Sequence, residues 1–235
     1  MTARGILSVF SRDKSSTNTA VGYIDCNTTV QAAQDADLTI CEFVERLWDQ
    51  YGQTKLILNR AAKHIDFSEV NTVCEIGPGT GRYIKKTIER MGKVDNYTIY
   101  EIDKDWANWL ETEYSISKRE ANGIDLQDEE NTSIDFCQAH GVFVSLSMYN
   151  VLIYLKEMMR VTKSGGYLLF DYFDETSFSN NVGQIIIDNS IDYPSIIPSG
   201  IIRNFLLENN CEIITEFNNK YGKGESKYIL AQKKA

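Results

Sequence analysis

Three prolines and two histidines are all that 235 residues contain, and none of the five cysteines stands in a CxxC pair. So little proline, with 43% apolar residues, argues against extended disorder. With only His64 and His140 available, a structural zinc site has too few ligands. Cys26, Cys41, Cys74, Cys137 and Cys211, isolated and set mostly in apolar runs, read as buried small hydrophobes of a reducing compartment. Long apolar runs are missing as well. The least charged stretch, residues 141–155, is too short for a membrane span of about 20 residues. The run Ile6-Leu7-Ser8-Val9-Phe10 is too short for a secretory leader, so a cytoplasmic protein is expected. Basic charge is also in deficit. A net charge of −9 argues against binding to nucleic acid or an anionic membrane, both of which need a basic face.

What is present is a change of period along the chain. Residues 1–30, rich in Ser, Thr and Asn, read mostly as a mobile arm. Ile40, Phe43, Val44, Leu47, Trp48 and Tyr51 recur at helical spacing, and residues 54–64 predict a second helix after Gly52. Short apolar strands then alternate with helices. Strands are predicted at residues 70–76, 97–102, 115–118 (weakly), 134–139 and 167–173, the last after a turn at Gly165-Gly166. Helices are predicted at 82–91, 105–114, 147–160 and, from Pro198, to about 209. Such alternation means right-handed crossovers and a parallel sheet covered on both faces. Residues 211–217 and 226–232, joined closely through Gly222 and Gly224, must be antiparallel. The expected organisation is an N-terminal arm and helical cap, residues 1–65, on one α/β unit, residues 66–235.

The informative stretch is VCEIGPGTGRY, residues 73–83, where three alternating glycines join a strand to a helix. Glycines there admit a ligand close to the backbone, and the helix start offers unpaired N–H groups. A dinucleotide fingerprint needs glycine where Arg82 stands, and a phosphate loop needs a closing Gly-Lys-Ser/Thr that is absent. Glu75, at the strand end, suits a ligand carrying an ammonium group. Glu101, closing the second strand, can accept hydrogen bonds from both hydroxyls of a ribose.

On these residues the chain resembles the class I S-adenosylmethionine-dependent methyltransferases over roughly residues 65–235. The resemblance implies a Rossmann-like α/β sheet in the order 3-2-1-4-5-7-6, with strand 7 antiparallel. It places S-adenosylmethionine on the loop of Glu75, Gly77, Pro78, Gly79 and Gly81, its methionine part over Gly77 and Gly79. The ribose falls on Glu101 and the adenine on Ile102, with Ala139 at the end of the fourth strand. The adenine edge falls at Asn122-Gly123, an amide where that family usually has Asp. More narrowly, GPGTGRY, YEIDKDWANWL (100–110), AHGVFV (139–144) and GGYLLFDYF (165–173) are similar to bacterial methyltransferases described as sugar O-methyltransferases of surface polysaccharide synthesis.

Methylating a hydroxyl needs a base. His140, just past the fourth strand with Gly141 beside it, is the candidate, and Asp171 near the end of the fifth is a second base or an orienter of His140. A histidine so placed can also cap the strand or orient the methionine carboxylate. Trp48, Tyr51 and Tyr193-Pro194 suit stacking on a sugar, and residues 174–198, with a short helix at 182–188, are assigned with the cap to acceptor choice. Asp125, Asp128, Glu129 and Glu130 fit a solvated loop better than a metal site. The expected partner is a small-molecule acceptor, with neither nucleic acid nor membrane, and a homodimer is compatible with the reading. Two alternatives stay open: a nitrogen or phosphoryl-oxygen acceptor, and a protein that binds the cofactor without catalysis.

Overall fold

A computed structural model describes residues 24–93, 96–178, 183, 184, 187, 194–222 and 224–234. Seven strands form one sheet: β1 (Val73–Ile76), β2 (Tyr97–Glu101), β3 (Ser117–Glu120), β4 (Ile134–Ala139), β5 (Thr162–Tyr172), β6 (Cys211–Tyr221) and β7 (Gly224–Lys233). Their order is β3-β2-β1-β4-β5-β7-β6. β1 to β5 pair in parallel, while β7 runs antiparallel to both β5 and β6. The chain reverses its direction of travel across the sheet between β1 and β4, so a crevice opens beyond the strand ends there.

The helices are α1 (Cys26–Asp35), α2 (Ile40–Leu47), α3 (Gln53–Ala61), α4 (Arg82–Met91), α5 (Lys104–Tyr114), α6 (Met148–Val161) and α7 (Ser199–Glu208). α1 begins within the segment, residues 1–30, that reads mostly as a mobile arm, and residues 1–23 of that arm lie outside the described residues. It forms because Asp25 accepts the Thr28 N–H at 2.8 Å and so caps the first turn. Its buried face, Cys26, Thr29 and Ala33, is too small and too polar to show as an apolar stripe. Thr39 and Glu42 cap α2 reciprocally, the capping-box arrangement.

The sheet's two faces carry separate cores. Cys74, Ile76, Cys137, Ala139, Leu168 and Phe170 pack under α6 and α7. Val73, Tyr97, Ile99, Phe136 and Leu169 pack under α3, α4 and α5. α3 thus shares the sheet's own core, while α1 and α2 form a smaller cluster with Trp106 and Trp109 of α5. The Gly165-Gly166 turn proves to be an irregularity inside β5, which advances from Thr162 to Tyr167 while β4 advances from Ile134 to Phe136. All five cysteines are buried and free. Among the described residues, no helix is long and apolar enough to cross a membrane.

Candidate active site

The loop after β1 holds Gly77, Gly79 and Gly81 at φ of +57°, +51° and +72°, the left-handed region that side chains resist. A Cβ on Gly77 would lie 2.7 Å from Val142 Cγ2, and one on Gly81 would strike Leu110, whereas Gly79 faces open space. Two glycines therefore serve packing and the middle one leaves room for a ligand. Gly81 starts α4 without any side-chain cap, so the first-turn N–H groups there are not taken by a capping side chain.

Beside this loop lies a cavity of about 370 Å³ lined by Gly77, Pro78, Gly79, Glu101, His140 and Tyr228, among others. The Glu101 carboxylate accepts N–H bonds from Gly79 (2.8 Å) and Asp103 (2.9 Å), tying the end of β2 to the glycine loop. Burial pushes its pKa up, against the pull of those two N–H groups. Ile24 and Trp48 close the cavity from the N-terminal side. The Trp106 indole donates to the Ile24 carbonyl at 2.9 Å and so fastens that segment to α5. Arg82 lies 4.8 Å over the Trp48 ring and donates to Gln50 at 2.9 Å.

His140 is half-buried, its ring stacked on Tyr83 at 3.5 Å between centroids and 4° between planes. Its Nε2 lies 3.1 Å from Gln138 Oε1 and its Nδ1 lies 3.4 Å from the Tyr228 hydroxyl. Burial first, and the Arg82 charge second, hold its pKa well below the ordinary imidazole value. The imidazole is therefore neutral near pH 7, which leaves one nitrogen with a lone pair. The Asp171 carboxylate accepts the Gly141 N–H at 2.7 Å, so it orients the backbone after His140, while the ring's own partners are Gln138 and Tyr228. Burial raises Asp171 to about 6.

The other expected residues fall in different places. Glu75 is not presented to a ligand; it is 1% exposed and held below the loop by Tyr97 and Gln138. Ile102, beside Glu101, is 70% exposed and does not line the cavity. Asn122 spends its side chain on a turn, accepting from Ile124 and Asp125, and neither it nor Gly123 lines the cavity. Ala139 is buried in the core under α6. Of the aromatics, Trp48 lines the cavity, Tyr51 is exposed away from it, and Tyr193 lies outside the described residues, as does most of 182–188. Among the described residues no three His, Cys, Asp or Glu side chains come together as a metal would need.

Sequence reasoning missed Tyr83, Arg82, Gln138, Asn219, Tyr221 and Tyr228. Only Gln138 left a signal there, as a polar residue amid the apolar run of β4. Asn219, Tyr221 and Tyr228 reach the cavity from the β6–β7 hairpin, far along the chain.

Comparison with known proteins agrees with this topology. The chain is similar to a structure from Galdieria sulphuraria described as a sarcosine dimethylglycine methyltransferase, at 12% identity and a TM-score of 0.65, covering 99% of this chain and 98% of that one. The chain carries the class I methyltransferase fold. Magnesium protoporphyrin IX methyltransferase from Synechocystis PCC 6803, with bound S-adenosylhomocysteine, matches at 10% identity and TM-score 0.61, over 80% of this chain and 86% of that one. An N-methyltransferase from Bradyrhizobium japonicum WM9, also with S-adenosylhomocysteine, matches at 12% and 0.58, over 78% and 87%. The family model described as Ribosomal RNA adenine dimethylase matches residues 42–124, the part that carries the glycine loop and Glu101. No curated protein is similar enough to the chain to count as a relative. Together these findings support a methyltransferase that uses S-adenosylmethionine.

Proposed function

We propose that the protein is an S-adenosylmethionine-dependent methyltransferase acting on a hydroxyl of a small acceptor, a sugar or nucleotide sugar of surface polysaccharide synthesis. One observation carries the reading: the open Gly79, the Glu101 carboxylate and a neutral imidazole, His140, line a single cavity. The residues fit the cofactor, since the cavity joins an unobstructed stretch of backbone to a carboxylate suited to a diol. Tyr83, Trp48, Tyr221 and Tyr228 give it aromatic walls, which suit the apolar face of a sugar.

When bound, S-adenosylmethionine supplies a methyl group already activated on a sulfonium. The chain's work is then to align the acceptor and take up its proton. Gly79 and Glu101 would hold the cofactor so that its methyl could pass to an acceptor oxygen lying beside His140. His140 receives the hydroxyl proton and later releases it to water. Burial first, with the Arg82 charge second, keeps His140 neutral beforehand and so holds that lone pair ready.

A nitrogen acceptor is the second reading, favoured by the match to an adenine dimethylase model over residues 42–124. An RNA acceptor sits poorly with a net charge of −9. The substitution His140→Ala separates oxygen from nitrogen. A hydroxyl-methylating enzyme should lose about 10²–10⁴ in kcat, the usual contribution of a general base. A change under threefold, with S-adenosylhomocysteine binding intact, would favour the amine.

A further inference from the structure

β1 and β4 lie side by side with Glu75 opposite Gln138, and His140 follows Gln138 by two residues on the same face of the sheet. These three side chains are linked in sequence. Gln138 Nε2 donates to Glu75 Oε2 at 2.8 Å, and the Tyr97 hydroxyl donates to the same oxygen. The amide nitrogen also lies 2.7 Å from the Tyr97 oxygen and 3.3 Å from Thr87 Oγ1. Glu75, Tyr97, Thr87 and Gln138 are all buried. The other end of the amide, Oε1, faces His140 Nε2 at 3.1 Å.

The chemistry of each group settles the direction of the chain. An ionised carboxylate can only accept, so with Glu75 ionised, above its raised pKa of about 7, the Gln138 NH₂ must point at Glu75. The Gln138 carbonyl then has to point at His140, and a carbonyl only accepts. His140 Nε2 must therefore carry the hydrogen, which leaves the lone pair of the neutral ring on Nδ1. Nδ1 faces the Tyr228 hydroxyl, itself 3.1 Å from the Tyr83 hydroxyl, and Tyr228 and Tyr83 both line the cavity.

We infer that Glu75 and Gln138 are positioning residues that lock His140 in its Nε2–H tautomer and so make Nδ1, on the Tyr228 side, the basic nitrogen. The role rests on the base function given to His140 above. It assigns work to Glu75 that differs from cofactor contact, which its burial denies it. Without the carboxylate the amide can turn over, offer NH₂ to the imidazole, and move the lone pair to Nε2, away from Tyr228.

Nitrogen-15 spectra of histidine-labelled protein test the assignment directly, because only His64 and His140 contribute. At about pH 8, where Glu75 is ionised, the wild-type chain should show one His140 tautomer, protonated at Nε2 and unprotonated at Nδ1. Glu75→Gln, which keeps the volume but can present either end of its amide, should convert that single pattern into a mixture. Gln138→Leu should abolish the preference for Nε2–H. A wild-type His140 protonated at Nδ1, or variant spectra identical to wild type, would overturn the inference, and the wild-type spectrum suffices if a variant fails to fold. Titration of the same samples with S-adenosylhomocysteine keeps the two readings apart. Binding with the wrong tautomer would sink this role alone; the right tautomer without binding would sink the methyltransferase reading and leave the tautomer lock standing.

Discussion

The two faces of the sheet differ in what they bury. Under α6 and α7 the strands offer Cys74, Ile76, Cys137, Ala139, Leu168 and Phe170, a surface suited to packing alone. Under α3 and α4 the apolar run of Val73, Ile99, Phe136 and Leu169 is interrupted by Glu75, Gln138 and Asp171, all buried. Burying such groups is costly unless each finds partners, and here they find them in Tyr97, Thr87, His140 and the Gly141 backbone. The polar file ends at the cavity, where His140 and Tyr228 emerge. One face stabilises the molecule; the other gives up some of that stability to fix a histidine.

Substitutions on the two faces should therefore fail in different ways. Phe170→Ala, on the apolar face, should have the largest effect on stability, about 3–5 kcal/mol in urea unfolding, with the tautomer of His140 unchanged where the protein is folded. A loss under 1 kcal/mol would mean that this face is not the main support. Glu75→Gln, on the polar face, should act through pH. Burial raises the Glu75 pKa to about 7 from 4.5, so the folded state holds this proton more tightly than the unfolded chain. The stability Glu75 contributes is thus fully present below pH 4.5 and is lost as pH rises through about 7. Relative to Glu75→Gln, the wild type should lose up to about 3 kcal/mol across that window. Parallel stability curves from pH 4.5 to 8 would show that Glu75 is not buried as an uncompensated acid.

The same contrast explains what the sequence discloses. α4 and β4 run as the apolar periodicity predicts, Arg82–Met91 and Ile134–Ala139, because tertiary packing and local pattern agree there. The glycine loop and Glu101 are legible since their spacing follows from one strand–turn–helix unit. The direction in which Glu75 points is not legible, because a strand buried on both faces shows no alternation to say which side meets the ligand. α1 is hidden by its small, half-polar buried face. Tyr228 is hidden by distance, since only the antiparallel docking of β7 on β5 brings it, opposite Asp171, to His140.

The proposed function requires the cavity beside Gly79 and Glu101 to hold S-adenosylmethionine. Isothermal titration with S-adenosylhomocysteine, run in parallel with NADH, tests it most directly. Micromolar binding of S-adenosylhomocysteine is expected, with none of NADH and at least tenfold weaker binding in Glu101→Ala, about 1.4 kcal/mol. Folded wild-type protein that takes up no S-adenosylhomocysteine would contradict it, and the role given to His140 would fall with it.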